Sequence, residues 1–446
     1  MTKLLKEMSY TRLIALSFMV AILAGTILLM LPISARSGNV TPMLDALFTA
    51  TSATCVIGFV VQDTFQYWSI FGQVVILALI QIGALGFVTL VSMFAIFAKK
   101  RIGLRERRIL MYSSSNMRLS GMIELVKQIA AITFLCEGVG ALLLAIQFVP
   151  ELGWIRGIYH SIFHSVSAFC NAGFDLMGRY EAGSSLMHYK TNGWVLFVIS
   201  LLAIIGGLGF TVWSDVLENR HNIRHYSLHS KVAIVASFVL LLVGWAGFFL
   251  FEYNGELAQF SMPYKLLNAF FMSAITRTAG FSTIDIQKLS PSGMLLTMIF
   301  MMIGGNPGST AGGIKTTTIA VMIFAVCAMA TGRREITVFK RRLDKDLIKH
   351  AGVILFVYIA AVLSATMMIC AVEHLELTKV LFETCAAMGT TGLSQGVIGQ
   401  VGTFSRIIFL ILMYGGRIGG LSLLLVFAEK ETEAPIKRPT EKIMIG

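Results

Sequence analysis

The sequence predicts an all-α membrane protein built as four tandem helix–pore loop–helix units around one central pore, with eight full spans and both termini cytoplasmic. Three observations lead there: an apolar composition, cations confined to a few polar stretches, and one motif that recurs four times in register. Of the 446 residues, 56% are AVILMFWYC and only 13% are charged, with a mean hydropathy of +0.77. Soluble domains carry ~25% charged residues. Apolar runs long enough for a ~30 Å hydrocarbon layer recur at Leu13 to Leu31, Leu125 to Val149, Trp194 to Trp213, Val232 to Phe251, Met294 to Ile303 with a continuation from Ile319 to Ala330, Val353 to Val372, and Ile407 to Phe427.

The first run follows Lys3, Lys6 and Arg12, as a signal peptide would. Its apolar core is too long and lacks a small-x-small cleavage site, so it is expected to remain as a span. The six cysteines have no CxxC spacing and fall in or beside apolar segments, which suits small core residues better than disulfides or metal ligands. The net charge of +12 is organised by topology. Of the 36 Lys and Arg, 25 lie in five stretches: up to Arg12, Lys99 to Lys127, Arg220 to Lys231, Arg333 to Lys349 and Lys430 to Lys442. The positive-inside rule puts all five in the cytoplasm. The basic balance therefore implies a lipid bilayer with anionic headgroups as partner and no nucleic acid.

If the five stretches share one side, each intervening block crosses an even number of times. Repeats at that scale are visible. "DALFTATSATCVIGF" (45–59), "HSIFHSVSAFCNAGF" (160–174), "NAFFMSAITRTAGF" (268–281) and "KVLFETCAAMGTTGL" (379–393) align without gaps on Phe48, Phe163, Phe270 and Phe382. A glycine follows ten residues later in each: Gly58, Gly173, Gly280 and Gly392. The units are 1–109, 110–226, 227–342 and 343–428, with a tail over 429–446.

Each unit reads as a span, a short amphipathic helix of about a dozen residues, a polar strip and a second span. A dozen residues rise only ~18 Å, half a bilayer, so the strip exposes irregular backbone at membrane depth. Such backbone is tolerated only where protein or a water-filled cavity shields it. Four strips converging on one axis would present Val56-Ile57-Gly58, Asn171-Ala172-Gly173, Thr278-Ala279-Gly280 and Thr390-Thr391-Gly392. Small side chains and an aligned glycine let carbonyl oxygens face inward, and rings of carbonyls replace the hydration shell of a monovalent cation. The negative ends of the four short helices add to the attraction.

With these motifs the chain resembles the Ktr, Trk and HKT superfamily of K⁺ transporters and channels, closest to its bacterial KtrB and KtrD membrane subunits. The resemblance covers nearly the whole chain, from "LLMLPIS" (28–34) to "YGGRIGGLSLLLVF" (414–427), and is carried by the four strips, "TRTAGFSTID" (276–285), a glycine-rich break at 304–313 and Arg417. It implies that Gly58, Gly173, Gly280 and Gly392 line a selectivity filter that favours K⁺, although "CVIGF" departs from the family's first strip, which has Thr two before the glycine and Leu after it. It also implies that Gly304, Gly305, Asn306, Pro307, Gly308, Ser309, Thr310, Ala311, Gly312 and Gly313 form an intramembrane gating loop. Matching positions read "IGALGF" (82–87), "IGGLGF" (205–210) and "YGGRIGG" (414–420); only the third became a polar loop.

Ionisable residues within spans are costly and usually functional. Arg417 is read as an electrostatic barrier beside the loop and Lys315 as part of the same switch, each with the alternative of satisfying carbonyls of broken helices. Arg277 is read as structural, paired with a carboxylate such as Glu383. "GLSQG" (392–396) fits G-x-S-x-G but lacks the strand-turn-helix setting of a hydrolase. "GSTAGGIKTT" has Ile314 where a phosphate loop needs contiguous Gly-Lys-Ser/Thr. His160 and His164 have no further ligand nearby for a metal. No enzyme is expected. The competing reading is an alternating-access cation transporter coupled to Na⁺ or H⁺, since such proteins also use repeats and broken helices.

No nucleotide-binding fingerprint occurs in the chain, so no cofactor is expected on it and K⁺ is cargo. The resemblance implies a homodimer on a cytoplasmic ring of RCK-type (KtrA- or KtrC-like) subunits, which would carry ATP or ADP. The basic stretches 99–118 and 333–349 and the tail 428–446 are the expected contact surfaces, with "GRREITVFKRR" (332–342) continuing the broken helix toward that ring.

Overall fold

The computed structural model describes residues 10–86, 122–220, 222–333 and 335–419, with Thr89 and Met93. Lys3, Lys6, the stretch 99–118 and the tail 428–446 lie outside the described residues. In chain order the helices are α1 (Tyr10–Met30), α2 (Met43–Thr54), α3 (Ile70–Leu85), α4 (Met122–Leu152), α5 (Trp154–Phe169), α6 (Gly193–Leu208), α7 (Phe210–Asn219), α8 (Leu228–Glu252), α9 (Met262–Ile275), α10 (Pro291–Met302), α11 (Thr316–Ala330), α12 (Lys345–Glu373), α13 (Leu377–Gly389) and α14 (Thr403–Ile418).

The layering inverts that of a soluble domain. The long helices α1, α4, α8 and α12 lie outermost and expose apolar side chains such as Ile27, Leu142, Phe238 and Phe356, as a lipid-facing surface requires. The short helices α2, α5, α9 and α13 are central, and their buried faces carry hydroxyls: Thr49, Thr51, Ser52 and Thr54 on α2, Ser161, Ser165 and Ser167 on α5, Ser273 on α9 and Thr384 on α13. Several of these bond back to the helix turn beneath, as Thr51 does to the Leu47 carbonyl at 2.7 Å and Ser161 to that of Gly157 at 2.7 Å. A hydroxyl satisfied in this way can be buried without an external partner.

The expected helical membrane architecture is present at a coarser level than eight full spans: among the described residues, four helices are long and apolar enough to cross a membrane, or five if α6 and α7, which meet at 90°, are one span. α3, α6 and α14 all stop at a glycine of nearly the same backbone geometry: Gly86 (φ 78°, ψ 134°), Gly209 (φ 93°, ψ 139°) and Gly419 (φ 91°, ψ 141°). Each of these helices has 16 residues, about 24 Å, short of the ~30 Å hydrocarbon layer. α10 also ends early, and the chain resumes as α11 only after the loop at 304–313.

Carboxylates at the C-terminal ends of the long helices tie neighbouring segments together. Glu252, at the end of α8, accepts from the Ser290 amide (2.9 Å) and hydroxyl (2.7 Å) at the start of α10. Glu373, at the end of α12, does the same for Gly402 N (2.8 Å) and Ser405 Oγ (2.6 Å) at the start of α14. Glu151, near the end of α4, accepts from Tyr189 at 2.9 Å. Their shared position, at the end of a long helix, is a repeat signal that the strip alignment did not use.

The segment after α11 differs from expectation. Gly332 turns left-handed (φ 66°) and ends the helix; strands β1 (Thr337–Val338) and β2 (Arg341–Arg342) then pair as an antiparallel hairpin. Its tip residues Phe339 and Lys340 both have positive φ, the tight mirror-image turn that hairpins favour. The helix therefore does not continue through 332–342.

Arg406 on α14 reaches back to Asp45 on α2, with Nη1 2.8 Å from Oδ1 and the two side chains 19% and 13% exposed. This pair joins the last unit to the first. Replacing Asp45 with Ala strands a largely buried guanidinium and should lower stability by ~2 kcal/mol, somewhat under the ~3–5 for a fully buried pair. Thermal unfolding in detergent checks this, with Asp45→Ala/Arg406→Leu recovering part of the loss.

Candidate functional site

The four strips meet in a ring, in chain order. A Cβ placed on Gly58 would meet the Ala172 carbonyl, one on Gly173 that of Ala279, one on Gly280 that of Thr391, and one on Gly392 that of Ile57, each at 3.0 Å or closer. Each glycine thus abuts the carbonyl that precedes the next strip's glycine. All four have positive φ, from 68° to 94°, so any side chain there meets both strained backbone and an oxygen atom.

Two residues before each glycine the backbone is left-handed again: Val56 (58°), Asn171 (58°), Thr278 (78°) and Thr390 (56°). Positive φ is unusual for any side chain and a real outlier for a β-branched one; such strain costs ~1–3 kcal/mol per residue and collects at functional sites. The reason lies in how the short helices end. Ile57 N donates to Ser52 O (2.9 Å) and Val56 N to Ala53 O (3.1 Å); Ala172 and Asn171 repeat the pattern on Ser167 and Ala168, and Thr391 and Thr390 on Ala386 and Ala387. These are the paired bonds of a left-handed helix stop, a position glycine normally fills.

That stop has a consequence for the strip. Its N–H groups point back into the short helix, while among the described residues no hydrogen bond is made to the carbonyls of Val56, Ile57, Gly58, Asn171, Ala172, Gly173, Thr278, Ala279, Gly280, Thr390, Thr391 or Gly392. Buried carbonyls are almost always paired. The hydroxyls of Thr278 and Thr390 are also buried and unpartnered. A ring of oxygens with no donors is a site for a cation that has shed its water.

The glycine-rich loop crosses next to this ring. Gly312 packs against the Thr390 side chain and Gly305 against the Gly207 carbonyl. The loop is bonded to the α6–α7 break: Asn306 N to Gly207 O (3.0 Å), Thr310 N to Gly206 O (3.3 Å) and Phe210 N to Gly308 O (2.8 Å). Thr310 Oγ1 reaches Phe169 O, the end of α5, at 3.1 Å, and Asn306 Nδ2 reaches Ser237 Oγ on α8 at 2.9 Å.

Lys315 and Arg417 both bond to carbonyls of irregular or terminal backbone. Lys315 Nζ donates to Ala311 O at 2.7 Å, within its own loop. Arg417 links the loop to α3: Nη1 donates to Thr310 O in the loop, and Nη2 to Gly83 O and Ala84 O at the end of α3. The pairing expected for Arg277 is corrected. Its guanidinium donates to Ser237 O (3.3 Å) and Thr316 Oγ1 (3.0 Å), and Thr316 in turn donates to Gly304 O (2.8 Å). Glu383 instead accepts from Ser394 Oγ (2.6 Å) and the amides of Gln395 (2.9 Å) and Val397 (3.2 Å), holding the chain beyond the fourth strip. Arg277 therefore braces the loop, a role visible only once α8 and Thr316 are brought beside it. His164 and His160 stack on each other, and no group of three or more metal-binding side chains occurs among the described residues.

A family model described as TrkH, cation transport protein, matches residues 6–436. The chain is 39% identical to the potassium/sodium uptake protein NtpJ of Enterococcus hirae, over 99% of this chain and 98% of that one. It is 35% identical to the Ktr system potassium uptake protein B of Bacillus subtilis, over 100% and 99%. The fold is similar to the crystal structure of the potassium transporter TrkH from Vibrio parahaemolyticus, with a TM-score of 0.74 at 18% identity, covering 95% of this chain and 86% of that one.

Removing the Arg417 fork should free the loop. In Arg417→Gln, amide exchange at Asn306 and Thr310 is expected to quicken at least about tenfold, equivalent to ~1.4 kcal/mol of lost restraint. Hydrogen–deuterium exchange with mass spectrometry reads this directly, and Arg417→Lys should restore part of the protection.

Proposed function

Because the chain belongs to the TrkH family of cation transport proteins, we propose that it takes up K⁺ across the plasma membrane, as a multi-pass protein, through a channel-like pore whose filter is the four-strip carbonyl ring. The observation that carries this reading is the ring of twelve strip carbonyls, ten of them on buried residues, that receive no hydrogen bond among the described residues. A dehydrated K⁺ supplies the missing charge, and the fixed oxygens replace its water at little reorganisation. The relatives named as potassium uptake proteins support K⁺ as the cargo.

In this reading the four units 1–109, 110–226, 227–342 and 343–428 each contribute one strip, and residues 304–313 are the gate. The loop closes the path beside the ring, and Arg417 adds a positive charge that a cation must pass. Lys315 holds the loop's own turn. Control comes from outside the chain: relatives named as members of a Ktr system support a partner subunit, which we take to be an RCK-type ring (KtrA- or KtrC-like) that carries ATP or ADP and docks under a homodimer of this chain.

The test is K⁺ uptake, with Na⁺ as competitor, in uptake-deficient cells. Wild type should concentrate K⁺, and Gly58→Ser should lose at least about tenfold of its K⁺ preference, since its side chain meets the Ala172 carbonyl and alters the spacing on which selection rests. Absence of K⁺ uptake by wild type with a co-expressed partner ring would sink the reading. Deleting 305–312 should raise flux and weaken control by the partner; unchanged flux would remove the gate assignment.

A further inference from the structure

Glu137 lies midway along α4 and is 7% exposed. Its carboxylate accepts from Gln81 Nε2 on α3, at 3.0 Å and 3.2 Å to the two oxygens, and from Cys170 Sγ at the end of α5, at 3.7 Å. Cys170 also reaches Gln81 Oε1 at 3.4 Å, so amide, thiol and carboxyl form one cluster between the first and second strips' supporting helices. Every donor in it is neutral.

Among the described residues, the surroundings add no cation bonded to it. α3 brings only the Gln81 amide to this point, and α6 carries no ionisable side chain. On α5, His164 faces the His160 carbonyl and the Leu176 amide, while His160 stacks on it. α7 meets α4 at Ser214 and Gln128, more than two turns away, and its Asp215 binds Asn219 and Ser227. Cys136 neighbours Glu137 on α4. Arg417 is within electrostatic reach of Cys170, but its guanidinium bonds to the Thr310, Gly83 and Ala84 carbonyls. A bare carboxylate at this depth is strongly unfavourable, and one amide with one thiol does not offset that.

We propose that Glu137 is a proton-binding site, separate from the carbonyl ring, whose occupancy sets the charge beside the second strip. Cys170 directly precedes Asn171. A proton taken from water leaves the cluster neutral; its release adds a full negative charge next to the strip and raises the ring's hold on a cation. The link to flux rests on the pore reading above, whereas the proton site does not.

Wild type, Glu137→Gln and Gln81→Leu, reconstituted in vesicles, are titrated from acid to alkaline pH by infrared spectroscopy, with K⁺ uptake followed in parallel. A protonated-carboxyl C=O band that disappears on alkalinisation and is missing from Glu137→Gln is the expected result. Gln81→Leu loses a donor that favours the anion, so its midpoint should move to higher pH. Uptake by wild type should change about tenfold across the titration, while Glu137→Gln stays at the acid-limb value throughout. A Glu137→Gln uptake profile that follows wild type, no band removed by the substitution, or a band that responds to Na⁺ instead of pH would each overturn the proposal. A titrating band in a protein that moves no K⁺ would uphold the proton site and overturn the pore reading.

Discussion

Everything in this architecture depends on a ring of twelve carbonyl oxygens at the core that no described N–H group satisfies. Protein interiors do not tolerate such groups without a substitute, and much of the surrounding structure keeps them unpaired. The left-handed stops at Val56, Asn171 and Thr390 turn the strip N–H groups back into the short helices. Glycines at the next-but-one position let neighbouring strips approach to contact. On the short helices, Thr51 and Ser161 donate back to carbonyls one turn below and so offer no proton to the axis. The strain at the four left-handed positions is held by packing, with Val56, Asn171, Thr278 and Thr390 all at most 1% exposed.

The second organising theme is the use of cations as carbonyl caps. Arg417 and Lys315 donate to backbone oxygens where the chain leaves helical structure, whereas Arg277 donates to Ser237 O within α8 and to Thr316 Oγ1 beside the loop. The two readings open at the level of sequence, barrier or cap, are therefore not exclusive: a guanidinium fixed by three carbonyls is held in place, yet its charge is not cancelled by a carboxylate.

Much of the site was legible in the sequence because gapless recurrence of Phe-x₉-Gly fixes register, and register fixes which atoms meet around an axis. Gly58, Gly173, Gly280 and Gly392 indeed abut one another in chain order. The glycine-rich break at 304–313 was readable for the same reason. What escaped was set by partners far away in the chain. Arg277 bonds across α8 instead of to Glu383, and Glu137, a lone acid in "FLCEGVG", acquires meaning only beside Gln81 and Cys170. Gly86, Gly209 and Gly419 end three apolar helices in a backbone conformation that composition does not reveal. The departure "CVIGF" proved to lie at a left-handed position that Asn171, Thr278 and Thr390 share, so Val56 carries the strain there without a polar side chain.

The Asp45–Arg406 pair joins residues 361 positions apart, and it has a bearing on biogenesis. Strip 1 leaves the ribosome long before strip 4, yet its ring neighbour on one side is Gly392. During synthesis the first three strips form an open arc with unpaired carbonyls at membrane depth, and only the arrival of α13 and α14 completes the circle. Closure of so long a loop is entropically slow, and half-assembled membrane cores are vulnerable to misassembly. A chain interrupted before residue 406 would keep its earlier helices but lack the closed ring, making the C-terminal segment the checkpoint for quality control of the whole subunit.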